Sequence, residues 1–312
     1  MKEKLLNYLC CPKCESDLKL KIKEIENGEI KTGEFVCSKC SNNYKIFNYV
    51  PRFVETDKYT GSYSLEWNLH RRTQLDSDSG TTESQGTFIT KTGFNLKDLK
   101  GKVVFEAGCG SGRFLEIASN NGAEVIGVDL SYAVDAAQKN FGLLKNVHIV
   151  QADIFNLPFK RETCDYVYSI GVLMATPDTK QAFMKLPPLL KKGGQIAIWV
   201  YSKCHHEHLP DFHYRKITTK LPKKLLYLLS YLAVPFYYLK KIPVLRSFVS
   251  IYMRTSNHPN WRWRVLETFD WYSSEYIFTH TCYEVIKWFK EAGLKEIELL
   301  EFPVAVRGKK ND

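Results

Sequence analysis

Four cysteines near the start of the chain fall in two pairs, Cys11-Pro-Lys-Cys14 and, 22 residues further on, Cys37-Ser-Lys-Cys40. Two Cys-x-x-Cys knuckles at this separation supply four thiolates. That donor set closes a tetrahedral zinc site and leaves no open position, so a metal held there is structural. Cys10 adjoins Cys11, but the two-residue gap to Cys14 selects Cys11 as the ligand. The other cysteines, Cys109, Cys164, Cys204 and Cys282, form no disulfide framework by their spacing.

A second constellation begins at VVFEAGCGSGR, residues 103–113, where an apolar run carries Glu106 near its end and is followed by Gly108, Gly110 and Gly112. Glycines let a strand turn sharply and let the backbone approach a ligand before a helix begins. Position 113 is Arg, so the spacing is GxGxG and not the GxGxxG that seats a pyrophosphate on a helix N-terminus. Glu106 would repel a pyrophosphate and suits a cationic amino-acid tail or the loop amides. The next apolar run, GAEVIGVDL, ends on Asp129 and Leu130, and this carboxylate can accept both hydroxyls of a ribose. HIVQADIF then brings Asp153, suited to an adenine amine, and Ile154 to cover the ring.

Three strand ends carrying three acids, followed by LPF at 157–159 and DYVYSIGVL at 165–173, resemble the class I S-adenosylmethionine-dependent methyltransferases. The resemblance runs from Leu99 to Tyr201 and resumes near the C-terminus. It implies an α/β, Rossmann-like seven-stranded sheet with helices on both faces and methyl transfer by in-line displacement. It also implies a cofactor site of Glu106, Gly108, Gly110 and Gly112 at the methionine end, Asp129 and Leu130 at ribose, and Asp153 with Ile154 at adenine. Many members of the family carry a histidine pair after the fourth strand; this chain has Met174 and Ala175 there.

The elements that must position these residues are legible in outline. Between the cysteine pairs, LKLKIKEIENGEIKTGEFVC alternates apolar and polar residues about Asn27-Gly28, a hairpin pattern. A ribbon this short has little core of its own, so zinc supplies its folding energy and its loss would unfold residues 1–54 while sparing the rest. The segment resembles the zinc ribbons found ahead of many methyltransferases and their small activator subunits, and also those of some ribosomal RNA methyltransferases. Residues 55–98 form a linker with cap helices. In it SYSLEWNLHRR looks helical, with Trp67 packed on the ribbon or capping the cofactor, and the polar run DSDSGTTESQG at 76–86 looks like a loop. The catalytic core occupies 99–201 and 281–312, its last helix opening at a capping box, Thr281-x-x-Glu284.

The 79 residues from 202 to 280 are then an insertion beyond the strand ends, read as a substrate domain or lid. Between Lys203 and Arg264 it has 12 Lys or Arg against 2 acids, whereas the rest of the chain is balanced at 32 each. Such a basic surface over an active site implies an anionic acceptor: a small molecule, a glycan or a lipid-linked compound, with ribosomal or transfer RNA as the alternative and a non-catalytic, cofactor-binding partner or scaffold as a further one. Within the insertion, LLYLLSYLAVPFYYL is flanked by lysines, so 223–241 is either a peripheral membrane contact or a buried helical pair. His205 and His206 follow the fifth strand and are the candidate general bases, with His258 and Asp270 behind them. The aromatic run HPNWRWRVLETFDWY at 258–272 suits a stacking wall or a packed hinge. Unpaired cysteines, the Cys-x-x-Cys site and a charged N-terminus point to a cytoplasmic protein, peripheral at the inner membrane face if 223–241 docks there.

Overall fold

The chain folds around one sheet whose middle strands are apolar on both faces. The computed structural model describes residues 1–206, 211–252 and 254–311, without the side chains of 205, 206 and 211–213. The N-terminal strands are β1 Leu18–Glu26, β2 Glu29–Cys37, β3 Asn43–Phe47 and β4 Val50–Arg52. The central ones are β5 Val103–Ala107, β6 Glu124–Asp129, β7 Val147–Gln151, β8 Cys164–Ile170 and β9 Leu190–Trp199, followed near the end by β10 Lys295–Leu299 and β11 Ala305–Lys309. Their order across the sheet is β1-β2-β3-β4-β7-β6-β5-β8-β9-β11-β10. The last seven of these are the expected seven-stranded core. β5 to β9 run parallel and β11 is antiparallel to β9.

The helices of the first two-thirds are α1 Gly61–Leu69, α2 Asp76–Ser79, α3 Glu83–Thr92, α4 Arg113–Asn120, α5 Ala133–Phe141 and α6 Thr179–Met184. The insertion adds α7 Lys203–His206, α8 Asp211–Thr218, α9 Lys223–Ser230, α10 Ala233–Leu239, α11 Pro243–Tyr252 and α12 Trp261–Ser273, and α13 Cys282–Glu291 closes the core. Alternate residues of each central strand feed opposite faces: Val104 and Val125 join one core, Phe105 and Ile126 the other.

The ribbon is not set apart from this sheet. Its β4 pairs in parallel with β7 at Arg52 and Gln151, and the Arg52 guanidinium donates to Gln151 (2.7 Å) and Asp135 (2.6 Å). Leu5, Leu9 and Phe35 lie in the same apolar cluster as Phe105, Ile126 and Phe159. The Asn27-Gly28 turn is present between β1 and β2, both residues at positive φ, as a two-residue hairpin requires.

The polar run at 76–86 is mostly helical, against the expectation of a loop. Asp and Ser are cap residues as well as turn residues, and here they cap: the amides of Ser84 and Gln85 donate to the Asp76 carboxylate at 2.9 and 2.8 Å. Glu116 in turn accepts from the amides of Asp76 and Ser77, which open α2. The capping box at Thr281 is formed as read.

Candidate functional site

The strand order reverses between β5 and β8, and there the loops after the parallel strands leave a cavity of about 310 Å³. Its floor is the glycine loop. Gly108 and Gly112 sit at φ +82° and +96°, and a Cβ on them would fall 2.4 Å from Val172 and 2.6 Å from the Phe141 ring. Both positions therefore need glycine for conformation and for space. The Gly108 and Cys109 amides donate to Val128, which ties the loop to β6.

Asp129, at the end of β6, is held from two sides: the Gly110 amide donates to one oxygen (2.9 Å), the Ser131 amide and hydroxyl to the other (2.8 and 2.7 Å). Burial raises its pKa and these donors lower it, with burial the larger effect. The oxygen that accepts only from the Gly110 amide keeps a lone pair for a ligand. Glu106 is 2% exposed and accepts from the Tyr168 hydroxyl at 3.0 Å; burial pushes its carboxyl up to about 8. Leu130 and Ile154 line the cavity beside Ala152. Asp153 does not line it: one oxygen accepts from the Phe155 amide at 3.0 Å, and the other accepts from the Lys58 ammonium.

The opposite wall comes from α1 and α12, and sequence reasoning saw little of it. Tyr63, Glu66 and Trp67 lie on one face of α1 at helical spacing; Glu267, Asp270 and Trp271 do the same on α12. That repeated acid–aromatic spacing is the signal that could have marked them. Trp67 caps the glycine loop, its ring 3.3 Å from where a Gly110 Cβ would stand, so of its two readings the cap is correct. Two further residues were missed: Lys91, whose ammonium stacks on Trp199 at 3.2 Å and is lowered to about 7 by burial, and Arg113, which donates to Ser84.

The lining of this cavity is not basic, so the insertion's charge does not itself argue for an anionic acceptor. Among the described residues its lining holds five carboxyl groups, on Glu66, Glu106, Asp129, Glu267 and Asp270, against two bases, Lys91 and Arg113. None of the insertion's lysines and arginines lines it. Most sit outside, among exposed apolar side chains, with Leu225, Leu228, Leu232, Val244, Phe248 and Ile251 all at least 45% exposed, while Arg215 and Arg264 are buried. The fully buried helical pair is therefore not what 223–241 forms; Leu226 and Ala233 face inward while their neighbours face solvent. No helix among the described residues is long and apolar enough to cross a membrane.

His205 and His206 belong to α7, but their side chains lie outside the described residues. His258 is not at the cavity; its ring stacks on Trp263 and bonds Glu83 at 3.1 Å. Asp270 is at the cavity, its carboxyl pushed up to about 6 by burial.

In the ribbon, the sulfurs of Cys11, Cys14, Cys37 and Cys40 lie within 4.8 Å of one another. The Cys11–Cys40 and Cys14–Cys37 separations are 3.6 and 3.4 Å, close to the ~3.8 Å that four Zn–S bonds of ~2.3 Å require of a tetrahedron. The Lys39 and Cys40 amides point at the Cys37 sulfur (3.4 Å each), as donors that stabilise a thiolate. The donor set fits zinc.

Residues 105–198 match the methyltransferase domain family. Over these residues the chain is similar to methyltransferase domains. Among curated relatives, phosphoethanolamine N-methyltransferase 3 of Arabidopsis thaliana is 28% identical over 52% of this chain and 32% of its own length. The sterol 24-C-methyltransferase of Saccharomyces cerevisiae is 30% identical over 54% of this chain and 44% of its own. The chain thus spans less than half of these relatives. A solved chain from the complex of a Haloferax volcanii methyltransferase activator and a putative methyltransferase covers 80% of this chain and 98% of its own, at TM-score 0.48 and 14% identity.

Proposed function

We propose that the chain methylates a small-molecule acceptor with S-adenosylmethionine, working at an anionic membrane surface, and that its four N-terminal cysteines hold a structural zinc. The observation that carries the reading is the cavity at the strand reversal, with Glu106, the glycine loop and Asp129 on one side and an aromatic, acidic wall on the other. When bound, S-adenosylmethionine supplies an activated methyl group. The chain's own residues bind and orient: Asp129, fixed by Gly110 and Ser131, presents the oxygen bonded only to Gly110 to a ribose hydroxyl, and Leu130 and Ile154 offer apolar cover to a base. Trp67 closes over Gly110 and keeps water from the loop. Asp270 is the cavity carboxyl whose raised pKa suits it to take a proton from an acceptor near neutral pH.

A small acceptor is favoured because none of the insertion's bases lines the cavity, which is about 310 Å³ and walled by aromatic rings. Phosphoethanolamine and sterol, the acceptors named for two relatives, are small molecules. The test is to incubate the protein with methyl-labelled S-adenosylmethionine and a lysate of its source cells, then separate lipid, small-molecule, protein and RNA fractions. Label in the first two is expected. Label confined to RNA would overturn the small-acceptor reading and make the basic exterior a nucleic-acid surface.

A further inference from the structure

Of the acids on the α1–α12 wall, two have partners within the chain. Glu267 accepts from the Trp263 indole at 3.0 Å and from the Ser256 hydroxyl; Asp270 receives the Ser274 hydroxyl at 3.4 Å and the field of the Arg215 guanidinium. Glu66 differs. It is 1% exposed, it lines the cavity, and its Oε2 is buried with no hydrogen-bond partner. A buried acid left without a partner is costly, and a fold tolerates it where a ligand supplies what is missing. The rings of Tyr63, Trp67, Tyr201 and Trp271 line the same cavity, and π-faces attract cations, weakly hydrated ones most. The two bases of the lining are committed elsewhere, Lys91 to the Trp199 face and Arg113 to Ser84 and Gln74.

We infer that the methyl acceptor carries a basic nitrogen, which Glu66 anchors as an ammonium–carboxylate pair within this aromatic wall. The inference rests on the methyltransferase reading and names its acceptor class. Burial and the nearby Asp270 and Glu267 keep the Glu66 carboxyl well above the usual carboxylate range. A neutral amine entering the cavity takes that proton, so an uncharged acid and an uncharged base become an ion pair without either having been buried alone as an ion.

The test uses the full chain saturated with S-adenosylhomocysteine, whose sulfur is uncharged, and two probes of equal length, hexylamine and hexan-1-ol, followed by ligand-detected NMR. The amine should bind at least about tenfold tighter than the alcohol, the worth of one charge-assisted contact. Glu66→Gln, nearly isosteric, should erase that preference, and Asp270→Asn should reduce it without erasing it. Equal binding of the two probes, or a preference that survives Glu66→Gln, overturns the inference. So does a Glu66→Gln variant that loses affinity for S-adenosylmethionine but not for S-adenosylhomocysteine, since the carboxyl would then serve the sulfonium. If the unaltered protein binds neither S-adenosylmethionine nor S-adenosylhomocysteine, the methyltransferase reading itself fails, whatever the probes do.

Discussion

Single residues in this site are held by burial as much as by contact, and Glu106 shows the consequence. Its folded pKa of about 8 lies above its ordinary 4.5, so the folded chain keeps a proton that the unfolded chain loses between those values. Stability attributable to this group is therefore greatest below pH 4.5, falls as pH rises to about 8 and is flat above it, a loss on the order of a few kcal/mol. Thermal melts of ligand-free protein across that range should show the decline, and Glu106→Gln should make it shallower; an unchanged slope would mean that Glu106 is ionised in the fold. Glu106, the three glycines and Asp129 were readable because close backbone approach and strand-end carboxylates leave few residue types to choose from. Asp153 was only half readable. Its position after β7 is as expected, but the Lys58 ammonium that occupies its free oxygen comes from 95 residues earlier, and nothing local announces it.

Among the elements, the ribbon changes most between sequence and structure. The two knuckles and the hairpin were legible from spacing and alternation, whereas the merger of ribbon and core was not, because β4 is three residues long and its partner β7 lies far along the chain. Shared packing of Leu5, Leu9 and Phe35 with Phe105 and Phe159 alters what zinc loss should do. Cys37→Ser should abolish stoichiometric zinc and lower a single unfolding transition of the whole chain, in place of releasing residues 1–54 alone. Metal analysis with calorimetry checks both halves: retained zinc would refute the four-cysteine site, and two separate transitions would refute the common core. The pairing of α1 with α12 was illegible for a related reason. The Tyr63 hydroxyl meets the Ser274 hydroxyl at 2.6 Å across a separation of 211 residues, a contact that only the finished fold creates.

Over the molecule as a whole, charge is segregated: acids line the cavity, and bases mix with apolar side chains on the outward faces of α9 to α11. From 216 to 254 there are eight Lys or Arg and no acid. An exposed apolar patch ringed by cations matches an anionic bilayer surface, with the apolar side chains in the acyl boundary and the cations at the headgroups. The protein should sediment with phosphatidylglycerol vesicles and far less with phosphatidylcholine ones, binding should weaken with salt, and Val244→Asp with Phe248→Asp should abolish it while S-adenosylhomocysteine still binds. Absence of vesicle binding, with self-association in its place, would make a second copy the occupant of that face. The pairing of β4 with β7 also sets a timetable for synthesis. The knuckles and hairpin leave the ribosome complete, but Arg52 must wait for Gln151, 99 residues later, or ~5–20 s at common elongation rates. Through that interval the strand that will join the sheet is an open edge, and its makeup, Val50-Pro51-Arg52, is short, lacks one amide donor and ends on a charge, which leaves little for another nascent chain to pair with.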